Sequence, residues 1–312
     1  MNQSLFPAKV LLFGEYSIME DSRGLSIPHG FYKGAFRFNL DVQNVEGLYS
    51  NVELKKYHDF LKFLVEKGDF PVRFHIEVFL QDVQKGMYFH SNIPKGYGVG
   101  SSGALVAAVY DRYAQDKFFS GADFNKKGVF RLKQIFGQME SYFHGKSSGI
   151  DPLICYLKLP LLIRSSTDIS AIGIPEKQQG NGAIFLIDSG APSSTSDMVQ
   201  IFFEKLKQDG FRKMLKEEFI KCNDECIEAF LKGDFKPLLK NVKRLSIWAY
   251  SHFRPMIPVS LWEIWEDGLF TNDYYLKLCG SGGGGFLLGF TSDYETARYK
   301  LRAYAPEVIF RF

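Results

Sequence analysis

The chain has 312 residues, 46% of them hydrophobic and 23% charged, so it can bury a full core and is not globally disordered. Its net charge of +3 is nearly balanced, which excludes a dedicated nucleic-acid binder with Lys and Arg concentrated on one face. Four scattered cysteines exclude a disulfide framework. The start, Met1-Asn2-Gln3-Ser4, lacks a basic region before its apolar stretch, which Glu15 interrupts, and no apolar run is long enough to span a bilayer. Neither secretion nor a membrane partner is therefore expected, and a cytoplasmic location is. One large domain or two lobes sharing a cleft both suit this length.

Lys9 to Phe13 reads as a short buried strand ending at Gly14-Glu15, and Phe36 to Val42 alternates as a half-buried strand does. Val52 to Lys67 has helical spacing, and Val72 to Leu80 has strand-like composition. A glycine-rich loop, Ile93 to Gly100, leads into an apolar helix over Ser101 to Ala114. A second helix is expected over Asp123 to Tyr142, with Asp123 as its N-cap. Ala183 to Ile187 looks like a buried strand, and Asp197 to Ala249 is almost wholly helical with breaks near Gly210 and Gly233. Within it Cys222 and Cys226 stand one helical turn apart. No second Cys or His pair lies nearby, so two small buried residues are expected there rather than a metal site. Strand-like Tyr275 to Cys279 and Phe286 to Phe290 flank a glycine run. A helix near Tyr294 to Ala303 and a strand over Val308 to Phe312 follow. No repeat or low-complexity linker occurs, so the expected class is α+β with interleaved lobes.

Three segments can carry chemistry. In Pro94-Lys95-Gly96-Tyr97-Gly98-Val99-Gly100-Ser101-Ser102-Gly103-Ala104, alternating glycines let backbone approach a ligand, and the helix that follows offers free N–H groups to phosphate oxygens. An ordinary helix-capping turn is the bland alternative. Gly98 to Gly103 also fits the dinucleotide pattern G-x-G-x-x-G, but a helix follows where that motif needs a second strand and an acidic residue, so the match is weak. The G-x-x-x-x-G-K-[ST] pattern is absent.

In Glu140 to Asp151, Glu140 and His144 are four apart at the end of a helix, and the chain can turn after Gly145 to bring Asp151 back. Two carboxylates placed this way suit a division of labour, one holding Mg²⁺ and the other orienting or deprotonating a hydroxyl. A solvated helix residue and a cap before Pro152 are the bland alternatives. The third segment, Lys277 to Leu287, is either a flexible linker or a tight connection whose glycines let backbone pack closely. Lys9, at a strand edge, is either surface decoration or a phosphate-steering cation.

Together these segments resemble the galactokinase–homoserine kinase–mevalonate kinase–phosphomevalonate kinase (GHMP) superfamily, from about Lys9 to Phe290. Pro94 to Ala104 resembles its phosphate loop and Lys277 to Phe286 its third motif. Lys9-Val10-Leu11-Leu12-Phe13-Gly14-Glu15 and His144-Gly145-Lys146-Ser147-Ser148-Gly149-Ile150-Asp151 resemble segments of mevalonate kinases. Here Ala8 stands for the usual Gly, Tyr16 for His, Ser147 for Pro and Ser193 for Arg.

The resemblance implies a two-lobed α+β fold: residues 1–180 as a ribosomal-protein-S5-like lobe with the phosphate loop and catalytic Asp, and residues 181–312 as a ferredoxin-like lobe with the third motif. It implies Asp151 acting on the substrate hydroxyl and Lys9 assisting it and the transferring phosphoryl group. Ser102 and Glu140 would hold Mg²⁺. Lys95, Gly96, Gly98, Gly100, Ser101, Ser102, Gly103, Gly282 and Gly283 would contact ATP, and Glu15, Tyr16, His144 and Thr195 the substrate. The reaction implied is transfer of the ATP γ-phosphate to the 5-hydroxyl of mevalonate. Alternatives are a kinase of phosphomevalonate or a sugar, a silent ATP-binding regulator and, more distantly, an NAD-dependent oxidoreductase. Homodimer formation is suggested by the resemblance alone.

Overall fold

The computed structural model describes residues 4–38, 41, 43–68, 70–117 and 126–312. Asp123, the expected N-cap, lies outside them, as do Asn39, Leu40 and Val42 of the strand expected over Phe36 to Val42. Two compact units emerge, each discontinuous in sequence. One comprises Met1–Lys9, Pro28–Pro94 and Gly100–Leu159, and the other Val10–Ile27, Lys95–Val99 and Pro160–Phe312. Helices and antiparallel strands build both, which is the α+β class expected from the sequence.

Strands β1 (Phe6–Phe13) and β2 (Gly24–Arg37) are divided between the units. In the first unit helix α1 (Val45–Glu66) and helix α2 (Ile76–Gln84) precede β3 (Tyr88–Ser91), which pairs antiparallel with the end of β2, Gly34 opposite Ser91 and Arg37 opposite Tyr88. Helix α2 corrects the strand expected over Val72 to Leu80. Ile76, Phe79, Leu80 and Val83 recur at helical spacing, Phe79 and Val83 are buried, and that period prevails over β-branched and aromatic composition.

Helices α3 (Ser101–Tyr113), α4 (Lys126–His144) and α5 (Ile150–Leu157) complete the unit. Ala104, Val106, Ala107, Ala108, Val109 and Tyr110 are all buried, so α3 is apolar nearly all round and sits in the core. Helix α5 starts where Asp151 could have been a cap before Pro152, but Gly149 is its cap and Asp151 lies in its first turn. Its Pro152 falls in the first turn, where a missing N–H costs no helical hydrogen bond. The helices approach one another closely: a Cβ on Gly103 of α3 would stand 2.8 Å from the Asp151 carbonyl carbon and 2.9 Å from the Pro152 nitrogen. This contact sets Asp151 against the start of α3.

In the second unit the first residues of β2 pair antiparallel with β4 (Leu161–Ile163), which pairs with β5 (Ile169–Ala171). Strand β6 (Ala183–Asp188) is followed by helices α6 (Thr195–Leu206), α7 (Asp209–Met214), α8 (Lys221–Lys232), α9 (Phe235–His252) and α10 (Trp262–Thr271). A π-helical segment, Leu215–Ile220, joins α7 to α8. Strands β7 (Tyr275–Leu278) and β8 (Phe286–Thr291), helix α11 (Tyr294–Lys300) and strand β9 (Glu307–Arg311) end the chain. An antiparallel sheet of order β7-β8-β6-β9 results, with Ala183 opposite Thr291 and Asp188 opposite Phe286. Its β6 and β8 are buried, as near-continuous apolar runs require. Cys222 and Cys226 are buried on α8, where two small core residues were expected.

Candidate active site

In the first unit the chain turns into α3 at Gly100, which caps the helix with φ +82°. Lys9 lies directly against this turn: a Cβ on Gly100 would stand 2.9 Å from Lys9 Cγ. The lysine is 5% exposed. Its Nζ is 3.0 Å from Asp151 Oδ2 in the first turn of α5, and the Asp151 side chain is 37% exposed. The pair thus has a buried cation and a carboxylate open to approach.

Helix α4 delivers a second carboxylate. Glu140 is 4% exposed. Ser102 Oγ donates to Glu140 Oε1 at 3.0 Å and lies 3.1 Å from His144 Nε2. The Ser147 hydroxyl donates to Glu140 Oε2. With Glu140 ionised, the single hydrogen of Ser102 goes to the carboxylate, so His144 presents Nε2–H to Ser102. The helical offset from Glu140 to His144 puts both side chains on Ser102, as their shared face implies.

Burial is the main reason the Glu140 carboxyl is pushed up to about 7. The Asp151 charge adds to the rise, while hydrogen bonds from Ser147 and Ser102 and the Lys9 charge oppose it. A carboxyl whose folded value exceeds its unfolded one favours folding while protonated. That contribution is full below the unfolded value and is lost as pH climbs to about 7. Metal-free Glu140→Gln protein should therefore gain on the parent by about 3 kcal/mol as pH rises through this window. Urea unfolding in EDTA at several pH values checks this, and a pH-independent difference would contradict it.

Magnesium is tested by the donor set. Ser102 Oγ and Glu140 Oε1 are hard oxygens 3.0 Å apart, the type and number of protein donors that Mg²⁺ takes when nucleotide phosphates and water supply the rest. Among the described residues no group of three or more His, Cys, Asp or Glu could hold a metal. The residues present fit a metal brought with a nucleotide rather than a cage of protein ligands.

The second unit gathers another set. Gly98 has φ +77°, and a Cβ there would stand 2.5 Å from the Cys279 carbonyl oxygen. Only glycine suits both its conformation and this contact. Gly285 N donates to Ala191 O at 2.7 Å and Ser193 N to Gly96 O at 2.9 Å. The Ser193 hydroxyl donates to Gly282 O, and a Cβ on Gly283 would stand 2.8 Å from Ser193 Oγ. The loop over Lys95–Val99, the segment around Ser193 and the glycine run therefore pack together. That run joins paired strands β7 and β8, so it is a hairpin connection and not a linker.

Thr195 Oγ1 is 3.4 Å from Ser281 Oγ, and the Tyr16 hydroxyl donates to Ser281 O. Glu15 is buried and pairs with buried Lys277 of β7. The structure thus groups Lys9, Gly100, Ser101, Ser102, Gly103, Glu140, His144 and Asp151 in one unit. It groups Glu15, Tyr16, Lys95, Gly96, Gly98, Thr195, Gly282 and Gly283 in the other. Sequence reasoning passed over Lys277 as a partner of Glu15, and noted Ser147 only as a departure from a familiar proline. A buried lysine within an apolar strand was the available signal for the first.

Residues 61–158, which carry α3, α4 and α5, match the family described as GHMP kinases N terminal domain. Mevalonate kinase of L. major, solved with R-mevalonate, shares 16% identity at a TM-score of 0.65, covering 99% of this chain and 94% of that one. Mevalonate kinase of Methanococcus jannaschii shares 18% identity at a TM-score of 0.62, covering 98% and 96%. Streptococcus pneumoniae phosphomevalonate kinase, solved with phosphomevalonate and AMPPNP, shares 14% identity at a TM-score of 0.60, covering 99% of each chain. No curated protein sequence matches the chain. The chain has the fold of the GHMP kinases, its residues 61–158 match their N-terminal domain, and it is similar in structure to mevalonate kinases. Among the described residues no helix is long and apolar enough to cross a membrane.

Proposed function

We propose that the protein transfers the γ-phosphate of Mg·ATP to the 5-hydroxyl of mevalonate. The observation that carries the kinase chemistry is the Lys9–Asp151 pair at 3.0 Å, set beside the Ser102–Glu140 oxygens at the start of α3. Asp151 accepts the proton of the attacking hydroxyl. Lys9 holds the carboxylate in place and offers positive charge to the transferring phosphoryl group. Free N–H groups over Gly100 to Gly103 take phosphate oxygens at the α3 N-terminus. Magnesium held by Ser102 and Glu140 would neutralise phosphate charge. Phosphoryl transfer asks mainly for such positioning and charge neutralisation. The roles of Lys95, Gly96, Gly98, Gly282 and Gly283 toward ATP, and of Glu15, Tyr16, His144 and Thr195 toward substrate, rest on resemblance.

By resemblance, the opening Lys9 to Glu15 and the His144-Gly145 element favour mevalonate, and only the second separates it from phosphomevalonate. The fold does not choose, since mevalonate and phosphomevalonate kinases share it at TM-scores of 0.65 and 0.60. The test is ADP release by the purified protein with Mg·ATP and, in turn, mevalonate, phosphomevalonate, galactose and homoserine. Mevalonate-dependent turnover is expected. Turnover with another of these keeps the kinase chemistry and discards the acceptor. Tight ATP binding with no turnover would favour a silent nucleotide binder.

A further inference from the structure

The Ser147 side chain sits between two elements of the candidate site. Its hydroxyl donates to Glu140 Oε2 and accepts from Gly149 N at 3.0 Å. Gly149 caps α5, two residues before Asp151. The turn is itself wedged against α4: a Cβ on Gly149 would stand 2.1 Å from Lys133 O and 2.6 Å from Gly137 N. One hydroxyl therefore links the carboxylate on α4 to the turn that launches α5, and that turn has little room to move.

The consequence falls on the other oxygen. A carboxylate at the end of a glutamate side chain can rotate about its last torsion, which has broad minima. With Oε2 held by Ser147, Oε1 is directed at Ser102 Oγ, 3.0 Å away. Buried hydrogen bonds to a ligating carboxylate orient it, and their loss commonly costs 10- to 100-fold in metal affinity. We propose that Ser147 is a positioning residue that fixes Glu140 for the divalent cation accompanying the nucleotide. This rests on the kinase reading above. Ser147 touches neither substrate nor phosphate in this role.

The test is binding, not turnover. Mn²⁺ affinity is measured by electron paramagnetic resonance in the presence of AMPPNP, for the unmodified protein, Ser147→Ala and Ser147→Thr. Metal-free AMPPNP affinity and thermal midpoint are measured alongside. Ser147→Ala should weaken Mn²⁺ by about 10-fold or more, with metal-free nucleotide affinity unchanged and only a small fall in midpoint from the two lost hydrogen bonds. Ser147→Thr, which keeps the hydroxyl, should restore most of the loss. Equal Mn²⁺ affinity in Ser147→Ala and the unmodified protein would overturn the role of Ser147 alone. A fall in midpoint matched by equal losses of metal and nucleotide affinity would make Ser147 merely structural and overturn it too. Absence of Mn²⁺–AMPPNP binding by the unmodified protein would overturn the kinase reading, and this inference with it.

Discussion

Asp151→Asn protein is expected to turn over about 10²- to 10⁴-fold more slowly, the usual contribution of a positioned proton acceptor, while staying folded and keeping its hold on nucleotide. Asn is nearly isosteric and retains an oxygen able to accept from Lys9 Nζ, now 3.0 Å from the carboxylate. Lys9, only 5% exposed, is therefore not stranded in the core without a partner. What disappears is the negative charge and the affinity for a proton. The loss should appear in kcat rather than in KM, since in the proposed mechanism the group acts on the hydroxyl as it attacks. Kinetics of ADP release, with thermal melts and AMPPNP binding beside them, separate this from misfolding. Near-normal turnover would remove Asp151 from the mechanism. A loss confined to KM would make it a binding group.

Much of this site was legible because its signals are local. Alternating glycines before an apolar run mark a loop entering a buried helix, and α3 is such a helix from Ser101 to Tyr113. The four-residue offset from Glu140 to His144 implied a shared face, and both side chains lie within hydrogen-bond distance of Ser102 Oγ. The strands at Lys9 to Phe13, Ala183 to Ile187 and Phe286 to Phe290 also form within a few residues of their expected bounds. Uninterrupted apolar runs of that length have few other uses.

What escaped was set by tertiary context. Strand β2 runs for 14 residues through Pro28, Gly30 and Gly34, each of which reads locally as a breaker. Gly34 is required by a neighbour far along the chain: a Cβ there would stand 2.3 Å from the Phe89 ring. Helix α2 reads as a strand by composition, and only its period of 3.6 tells otherwise. Hydrogen bonds that tie together the second unit's set are likewise invisible to spacing. Tyr16 meets Ser281, and Ser193 meets Gly282, across 265 and 89 residues.

The buried pair of Glu15 and Lys277 should produce the largest stability effect, because each residue is 4% exposed and they lie 262 residues apart in sequence. Lys277 also donates to Leu278 O at 3.1 Å, and its Nζ stands 5.7 Å from the Phe13 ring centroid. Removing one partner leaves the other charge, or its desolvated neutral form, buried with no counter-ion. Such losses run to about 3–5 kcal/mol. Lys277→Met and Glu15→Leu should each destabilise on that scale in urea unfolding. The double variant should recover most of the loss, since an apolar pair of similar volume carries no charge to desolvate. Additive losses would mean that the two charges do not compensate each other, and the pair would then be a contact without consequence. The recovered double variant also has a use in kinetics. Glu15 is implied by resemblance to face substrate, yet its carboxylate is bound to Lys277 on the strand that leads into the glycine hairpin. If stability returns while KM for the acceptor stays raised, Glu15 has a second role at the substrate. If KM returns as well, its work is to hold that hairpin's strand against the end of β1.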